Sequence, residues 1–275
     1  MIKLTKNSFD QFHTYLFDAA GVVYTDGGIV NNVQAVIKAC QERANFFLVT
    51  NNSYMYPTYI TERLAQSNIH IPEKNIISSG AVKYNKEISS LLKNKTIYLL
   101  GEHTSEPYFI EAGCKKITKN LAESDIIMLA AFLNHYSDAL IDDIIQHAKE
   151  NPNIAIICCN PDRYVVGKTG LHPVVGLYAE KIEKAINRPI TWFGKPFNNF
   201  SKVVEIVMKE NNILVDDGIC FFDDNVENVV NMGKHIGISA CWVKETGIGH
   251  YLDTTEVINR VGQPRYFVES IEKFV

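Results

Sequence analysis

Several polar residues that could perform phosphate chemistry directly follow short apolar segments or stand in a short loop. They are Asp18 after residues 14–17, Thr50 and Asn51 after residues 46–49, Asp223 and Asp224 after residues 219–222, and Lys195 in the Gly-Lys-Pro loop at 194–196. A carboxylate can attack phosphorus and form an aspartyl phosphate. A hydroxyl, a backbone amide and a lysine can hold phosphoryl oxygens, and neighbouring carboxylates suit Mg²⁺, which takes oxygen ligands. The set therefore indicates phosphoryl-transfer chemistry.

Repeated strand–helix units would position these residues. Short apolar segments alternate with segments of helical periodicity, which predicts an α/β protein with a mostly parallel sheet. Strands are predicted at residues 14–17, 46–49, 96–100, 126–130, 154–158, 190–193, 219–222 and 238–243, and helices at 31–43, 56–67, 105–112, 137–150, 174–186, 199–210 and 226–235. Ligands of open parallel sheets bind beyond the carboxyl ends of the strands. The candidate residues stand at those ends.

Four short segments carry a resemblance to a known family. They read LFDAAGVV at 16–23, VTNNS at 49–53, GKP at 194–196 and FFDDNVEN at 221–228, and NPD at 160–162 and SSG at 78–80 add to them. In this order they resemble the haloacid dehalogenase-like (HAD) superfamily. Within it, the chain is similar to class IIA, the branch of NagD-like, nucleotide and p-nitrophenyl phosphatase-like proteins. Each segment alone is a weak signal, but together they span nearly the whole chain and form a strong one.

The resemblance implies a Rossmann-like core with a parallel sheet and an inserted α/β cap of the C2 type. It also implies Mg²⁺-dependent hydrolysis of a small phosphorylated metabolite through an aspartyl phosphate. The implied catalytic residues are Asp18, Lys195 and Thr50, the implied substrate-binding residues are Thr50, Asn51, Asn52, Lys195 and Asp162, and the implied metal ligands are Asp18, the backbone carbonyl of Ala20, Asp223 and Asp224. Asn228 stands where this branch usually has an aspartate, and it is expected to complete the site through water or by supporting the ligands.

The spacing of the motifs locates the insertion. Asp18 and Thr50 are only 32 residues apart, which leaves room for one crossover helix. Thr50 and Lys195 are 145 residues apart, far more than a strand–helix connection requires. We therefore predict a discontinuous core domain of residues 1–81 and 189–275 and an α/β cap domain of residues 82–188.

Ala20 is the principal departure from the family pattern. The family has a second aspartate there, whose carboxylate protonates the leaving group, and alanine removes this acid while keeping the backbone carbonyl. General acids contribute roughly 10²–10⁴-fold to rates, so we predict a phosphatase biased to good leaving groups or one that uses another acid. The alternative is a catalytically impaired relative that binds a phosphorylated ligand or a protein partner. Phosphonate-cleaving relatives are disfavoured because their cap lies between the first two motifs.

Composition limits the partners and the compartment. A net charge of −4 without a basic stripe argues against binding a nucleic-acid polymer. No apolar segment is long enough to span a bilayer, and the first residues lack the apolar region of a signal peptide, so we expect a cytoplasmic protein that does not bind membranes. A homodimer through the cap is compatible with this architecture. Residues 167–169 lack the upstream glycine of a P-loop and are expected to be a loop, and residues 247–249 lack the third glycine of a dinucleotide fingerprint.

Overall fold

A computed structural model describes residues 1–130 and 137–274 of the chain. The strands are β1 (Ile2–Lys3), β2 (Thr14–Phe17), β3 (Tyr24–Thr25), β4 (Gly28–Ile29), β5 (Asn45–Thr50), β6 (Ile76–Ser78), β7 (Thr96–Leu100), β8 (Lys116–Thr118), β9 (Ile126–Leu129), β10 (Ala155–Cys158), β11 (Tyr164–Gly167), β12 (Gly170–Pro173), β13 (Thr191–Trp192), β14 (Ile219–Asp223), β15 (Ser239–Val243) and β16 (Tyr266–Val268). The helices are α1 (Val33–Gln41), α2 (Pro57–Ala65), α3 (Lys86–Leu92), α4 (Glu106–Glu111), α5 (Asp138–Glu150), α6 (Val175–Ile186), α7 (Asn198–Glu210), α8 (Val226–Ile236) and α9 (Thr255–Val261).

A seven-stranded parallel sheet carries the first and last motifs. Its spatial order is β1-β16-β15-β14-β2-β5-β6, and each neighbouring pair is parallel. From β2 the chain moves to one side through β5 and β6, and it later returns on the other side through β14, β15 and β16. The sheet therefore has a topological switch point between β2 and β14, and such points form the ligand-binding crevice of open α/β sheets.

A second, smaller sheet is built from the middle of the chain. Its order is β13-β10-β9-β7-β8, and its neighbouring pairs are also parallel. Two antiparallel hairpins, β3–β4 and β11–β12, stand apart from both sheets. Because β13 lies beyond residue 188 and pairs with β10, the smaller sheet extends past the predicted cap boundary. The division into a core and a cap domain stays a prediction.

Apolar side chains cover both faces of the larger sheet, as is typical of parallel strands. Along β2, Tyr15 and Phe17 enter one apolar cluster, whereas Leu16 enters the cluster on the opposite face. The second cluster also contains Leu99 of β7 and Phe193, which follows β13, so it joins the two sheets. A third cluster buries the other face of the smaller sheet against α5 and α6. The shared cluster fixes where the smaller sheet sits relative to the larger one.

The helix that follows the fourth motif has clear start and stop signals. The Asn225 side chain accepts a hydrogen bond from the Glu227 amide at 3.0 Å, which caps the N-terminus of α8. Gly237 ends the helix in the left-handed conformation, with a φ of 78°. These signals set the chain direction directly after Asp223 and Asp224. No helix in residues 1–130 and 137–274 is long and apolar enough to cross a membrane.

The predicted α/β fold with a parallel sheet and additional smaller sheet is confirmed, and the predicted strands and helices have ends within about two residues of those observed. Sequence analysis missed α3, α9, β1, β8, β16 and both hairpins. Residues 167–169, expected to be a loop, lie at the turn of the β11–β12 hairpin, where Gly167 pairs with Gly170. These missed elements are short, so they contain too few residues to show a hydrophobic period.

Candidate active site

Four predicted site residues meet at the carboxyl edge of the larger sheet, beside its switch point. Because β14, β2 and β5 are neighbours, Asp223, Asp18 and Thr50 at their ends lie side by side. Lys195 follows β13 of the smaller sheet and reaches the same place. All four side chains are buried. The fold therefore brings together groups from all four motifs.

Lys195 is held between two carboxylates. Its Nζ lies 2.7 Å from Asp18 Oδ1 and 2.7 Å from Asp223 Oδ2, and it donates to the Val49 carbonyl at 3.1 Å. Burial by itself lowers the pKa of Lys195, but Asp18, Asp223 and Asp162 more than offset this and raise the pKa above its ordinary value. The side chain is only 1% exposed, so this ammonium is a permanent positive charge in the interior.

Three carboxylates around this ammonium are placed to share a cation. One oxygen from each of Asp18, Asp223 and Asp224 lies within 4.8 Å of the others. Burial raises the pKa of Asp18, and Asp223 adds to the rise while Lys195 opposes it. Burial also raises the pKa of Asp224 well above its ordinary value, again with a contribution from Asp223. Both pKa shifts arise mainly from burial, and the excess of three carboxylates over one ammonium adds to them. The donor set fits a hard divalent cation, which would supply the missing positive charge.

Neighbouring amides orient Asp223. Its Oδ1 accepts the Asn225 amide N–H at 2.8 Å, and the Asn228 Nδ2 lies 3.4 Å from Oδ1 and 3.3 Å from Oδ2. The Oδ1 of Asn228 is buried and finds no hydrogen-bond partner in the part of the chain that the structure describes. A buried acceptor without a donor is costly unless water or an ion satisfies it. Asn228 therefore offers one more oxygen beside the carboxylates, which also fits a cation with its hydration water.

A loop after β15 holds Asp224. The Asp224 Oδ2 accepts the Ile248 amide N–H at 2.5 Å, and the Trp242 Nε1 donates to the Asp224 carbonyl at 3.0 Å. Gly21 and Gly247 both have a φ of +83°, and a methyl group on either one would overlap the Asp224 carboxylate. Sequence analysis excluded a dinucleotide site at residues 247–249 but did not predict that Gly247 makes room for the Asp224 carboxylate. The only signal in the sequence is the closely spaced glycines that follow a predicted strand.

The second motif connects the third motif to the segment at 160–162. The Thr50 Oγ1 accepts the Asn52 amide N–H at 3.1 Å. The Asn51 Oδ1 accepts the Lys195 amide N–H at 2.8 Å, and its Nδ2 donates to the Lys195 carbonyl at 3.0 Å and to Asp162 Oδ1 at 2.9 Å. Burial raises the pKa of Asp162 to about 6, against the opposing effect of Lys195. The Asn51 side chain is thus engaged with protein groups and positions Lys195 and Asp162.

A cavity of about 260 Å³ opens over Asp18. Six predicted site residues line it: Asp18, Ala20, Thr50, Asn51, Asn52 and Asp162. The lining also includes residues that sequence analysis missed, among them Tyr24, Tyr54, Arg63 and Glu102. Lys195 and Asp224 line adjoining cavities. Arg63 occupies an ordinary exposed position of a helical pattern, so no local feature of the sequence distinguishes it. Its place in the site depends on how α2 packs beside the β3–β4 hairpin.

Known proteins share this architecture. A sequence model of the haloacid dehalogenase-like hydrolases matches residues 15–115. A dihydroxyacetone phosphatase from Corynebacterium glutamicum is 24% identical over 263 residues, which cover 94% of this chain and 89% of that protein. A possible sugar phosphatase of the HAD superfamily from Cytophaga hutchinsonii has a TM-score of 0.83 at 20% identity, with 98% of both chains covered. A p-nitrophenyl phosphatase from Archaeoglobus fulgidus has a TM-score of 0.75 at 20% identity, with 95% of this chain and 97% of that chain covered. Residues 15–115 therefore match the haloacid dehalogenase-like hydrolases, and the whole chain has the fold of these solved phosphatases.

Ala20 lines both the 260 Å³ cavity and an adjoining one of about 30 Å³. Ala20 itself adds no acidic side chain to the space beside Asp18, although Asp162 lines the same two cavities. A backbone bridge joins Ala20 to Tyr24 through the Ala19 carbonyl and the Gly21 amide. The bridge does not use the Ala20 carbonyl, so the oxygen predicted to bind a metal remains available. Alanine at this position therefore offers a backbone oxygen but no acidic group.

Gly247→Ala should lower the free energy of unfolding by roughly 2–5 kcal/mol, because it combines left-handed backbone strain with a clash against Asp224. Gly237→Ala is the matched control: its φ is +78°, but a methyl group there meets nothing within 4 Å. It should cost only the strain, about 1–2 kcal/mol. Urea unfolding followed by circular dichroism measures both. Equal losses would contradict the assignment of Gly247 as the residue that makes room for Asp224.

Proposed function

We propose that this protein is a Mg²⁺-dependent phosphatase that hydrolyses a small phosphorylated metabolite through an aspartyl phosphate on Asp18. The proposal is carried by the position of Lys195 Nζ, 2.7 Å from both Asp18 and Asp223, with Asp224 in the same carboxylate group. Relatives named dihydroxyacetone phosphatase and acid sugar phosphatase support a small phosphorylated substrate. The 260 Å³ cavity over Asp18 also suits a small molecule.

Asp18 acts as the nucleophile in the proposed reaction. One of its carboxylate oxygens attacks the phosphorus, the bond from phosphorus to the leaving oxygen breaks, and the leaving group takes a proton from water. A second water then attacks the phosphorus of the aspartyl phosphate, which releases inorganic phosphate and restores the Asp18 carboxylate. Lys195 neutralises charge on the phosphoryl oxygens, and the Thr50 hydroxyl binds one of them. Asn52 and Asp162 also line the cavity, where they would contact the substrate.

The proposed metal site uses oxygen donors alone. Asp18, Asp223, Asp224 and the Ala20 carbonyl would hold the ion, and none of these donors is a histidine or cysteine that would favour zinc. When bound, Mg²⁺ supplies positive charge that attracts the phosphoryl oxygens and offsets the excess of carboxylates. The first test is hydrolysis of 4-nitrophenyl phosphate by the purified protein, with Mg²⁺ and with EDTA. Turnover that is independent of Mg²⁺ would refute the metal assignment.

We expect the wild-type protein to hydrolyse aryl phosphates much faster than alkyl phosphates, because Ala20 provides no proton for an alkoxide. Ala20→Asp should raise turnover of an alkyl phosphate such as glycerol 3-phosphate by roughly 10²–10⁴-fold. Ala20→Asn has a similar shape without an acid and serves as the control. Steady-state phosphate release measures all three proteins.

Two results would change this conclusion. Similar wild-type rates for aryl and alkyl phosphates would contradict the restriction to good leaving groups. An inactive wild type that gains activity only as Ala20→Asp would favour the second candidate function, a silenced relative that binds a phosphorylated ligand or a protein partner. A homodimer and a cytoplasmic location stay predictions from the sequence, and light scattering of the purified protein tests the former.

A further inference from the structure

Arg63 places a positive charge at the outer end of the active-site cavity. It lies on α2 and lines the same cavity as Asp18, but unlike Asp18 it is exposed. No carboxylate oxygen of the described residues lies within 4.0 Å of its guanidinium. The cavity therefore runs from a buried carboxylate cluster to an exposed cation that has no acidic partner in the described part of the protein.

Two tyrosines hold the Arg63 side chain in place. Its Cζ lies 5.1 Å from the centre of the Tyr24 ring, and its Nη1 donates to the Tyr54 hydroxyl at 3.4 Å. The Asn52 side chain lies close to both tyrosine hydroxyls. Tyr24 is itself tied to the segment after the nucleophile by its backbone bridge to Ala20. A guanidinium carries five N–H donors in a rigid plane, so most of its donors remain for a ligand.

The charges of the remaining wall limit where an anion can bind. Asp26 and Glu102 line the same cavity, and they would repel a second anionic group placed near them. Among the described residues, Arg63 has the only cationic side chain that lines this cavity. A negatively charged group of the ligand is therefore favourable only beside Arg63. Because the phosphate must lie over Asp18, the group that reaches Arg63 belongs to the leaving group.

We propose that Arg63 determines substrate specificity by binding an oxyanion, a carboxylate or a second phosphate, on the leaving group. This inference rests on the proposed phosphatase function. Together with the missing acid at Ala20, it defines a substrate class: aryl, enol or acyl phosphates that carry a second anionic group. Such leaving groups depart without a proton, and Arg63 binds their second negative charge.

A matched pair of substrates isolates the charge. 3-Carboxyphenyl phosphate and 3-carbamoylphenyl phosphate share the ring and the phosphate position and differ in one negative charge. We expect the wild type to favour the carboxylate in kcat/KM by about 10- to 100-fold, mainly through KM. Arg63→Gln should reduce this ratio to about one, and Arg63→Lys should keep part of it. The 1,3-phenylene bisphosphate distinguishes a site for a second phosphate from a site for a carboxylate, and a preference for either supports the proposal.

Arg265→Gln is the control variant. Arg265 is also exposed, and its Cζ lies 5.0 Å from the centre of the Tyr266 ring, but it does not line the cavity. It should leave the substrate ratio unchanged. An Arg63→Gln variant that loses activity equally towards both substrates would overturn the proposal, because it would show a structural role only. A wild type that hydrolyses 4-nitrophenyl phosphate but has no preference within the pair would also overturn it.

Calorimetry with non-hydrolysable ligands separates this inference from the proposed function. The ligands are 3-(phosphonomethyl)benzoate and its carboxamide, each titrated in the presence of Mg²⁺. Tighter binding of the carboxylate that disappears in Arg63→Gln supports the specificity site, even if no phosphate ester is hydrolysed and the phosphatase proposal falls. Equal binding of the two ligands by the wild type overturns the specificity site, whatever the turnover.

Discussion

Replacing Asp18 with asparagine should lower Mg²⁺-dependent hydrolysis of 4-nitrophenyl phosphate by at least about 10⁴-fold, a loss of the size seen when a nucleophile is removed. Asparagine has nearly the same shape but cannot form the acyl phosphate. The variant should still fold, because Lys195 keeps its contact with Asp223 at 2.7 Å. Moreover, burial raises the pKa of Asp18, so a neutral side chain is tolerated at this position. Phosphate release and urea unfolding together separate lost chemistry from lost structure.

Asp10→Asn is the control for this experiment, since it makes the same chemical change at an exposed position outside the cavity. Its turnover should equal that of the wild type. Substantial turnover by Asp18→Asn would rule out Asp18 as the nucleophile and, with it, the aspartyl phosphate. Loss of turnover together with loss of the folded state would instead show that Asp18 is needed for structure.

Lys195→Met should lower the free energy of unfolding by about 3–5 kcal/mol, the usual cost of removing one partner from a buried ion pair. Methionine fills a similar volume, but Asp18 and Asp223 would each lose the ammonium that lies 2.7 Å away. Urea unfolding in EDTA measures the effect, because a divalent cation would otherwise replace part of the missing charge. Turnover should be lost as well, since the phosphoryl oxygens lose their lysine.

Lys202→Met is the control, because Lys202 lies on the exposed side of α7. A surface substitution of this kind usually changes the free energy of unfolding by no more than about 0.5 kcal/mol. Adding Asp18→Asn to Lys195→Met should recover part of the lost stability, because it removes one of the two stranded carboxylates. Such couplings between contacting residues amount to about 0.5–3 kcal/mol. If Lys195→Met were no less stable than Lys202→Met, the buried ion pairs would not stabilise this fold.

The predictions about Ala20 and Arg63 concern the two ends of one substrate. Ala20 affects the bond that breaks, because its side chain has no proton to give to the leaving oxygen in the proposed reaction. Arg63 affects recognition of a second anionic group on the leaving group. The two positions lie in different elements, the loop after β2 and helix α2, and they line one cavity. Activity screens should therefore include phosphates that combine a good leaving group with a second anion.

The pattern of apolar segments along the sequence was sufficient to predict the parallel sheet and to place most of the predicted site residues at its edge. Strands such as β2 and β14 are apolar on both faces because helices and the other sheet cover them, so their sequences are continuous apolar runs. Each run ends where the chain leaves the core, and a polar residue there stands at the edge of the sheet. Asp18, Thr50 and Asp223 could therefore be placed together from the sequence. Lys195 was added through the resemblance of its motif.

Tertiary structure alone decided which distant groups surround these residues. The groups that enclose Asp224 come from two segments far apart in the chain, Gly21 and the pair Gly247 and Ile248. The Tyr24–Arg63 pair depends on a two-stranded hairpin lying against a helix face, and β13 joins the smaller sheet through only two residues. Hydrophobic periodicity reports which face of an element is buried, but not against which other element it packs. The sequence by itself therefore determined the elements and the residues at their ends, whereas packing between distant segments decided how Asp224 is held and where the outer end of the cavity is charged.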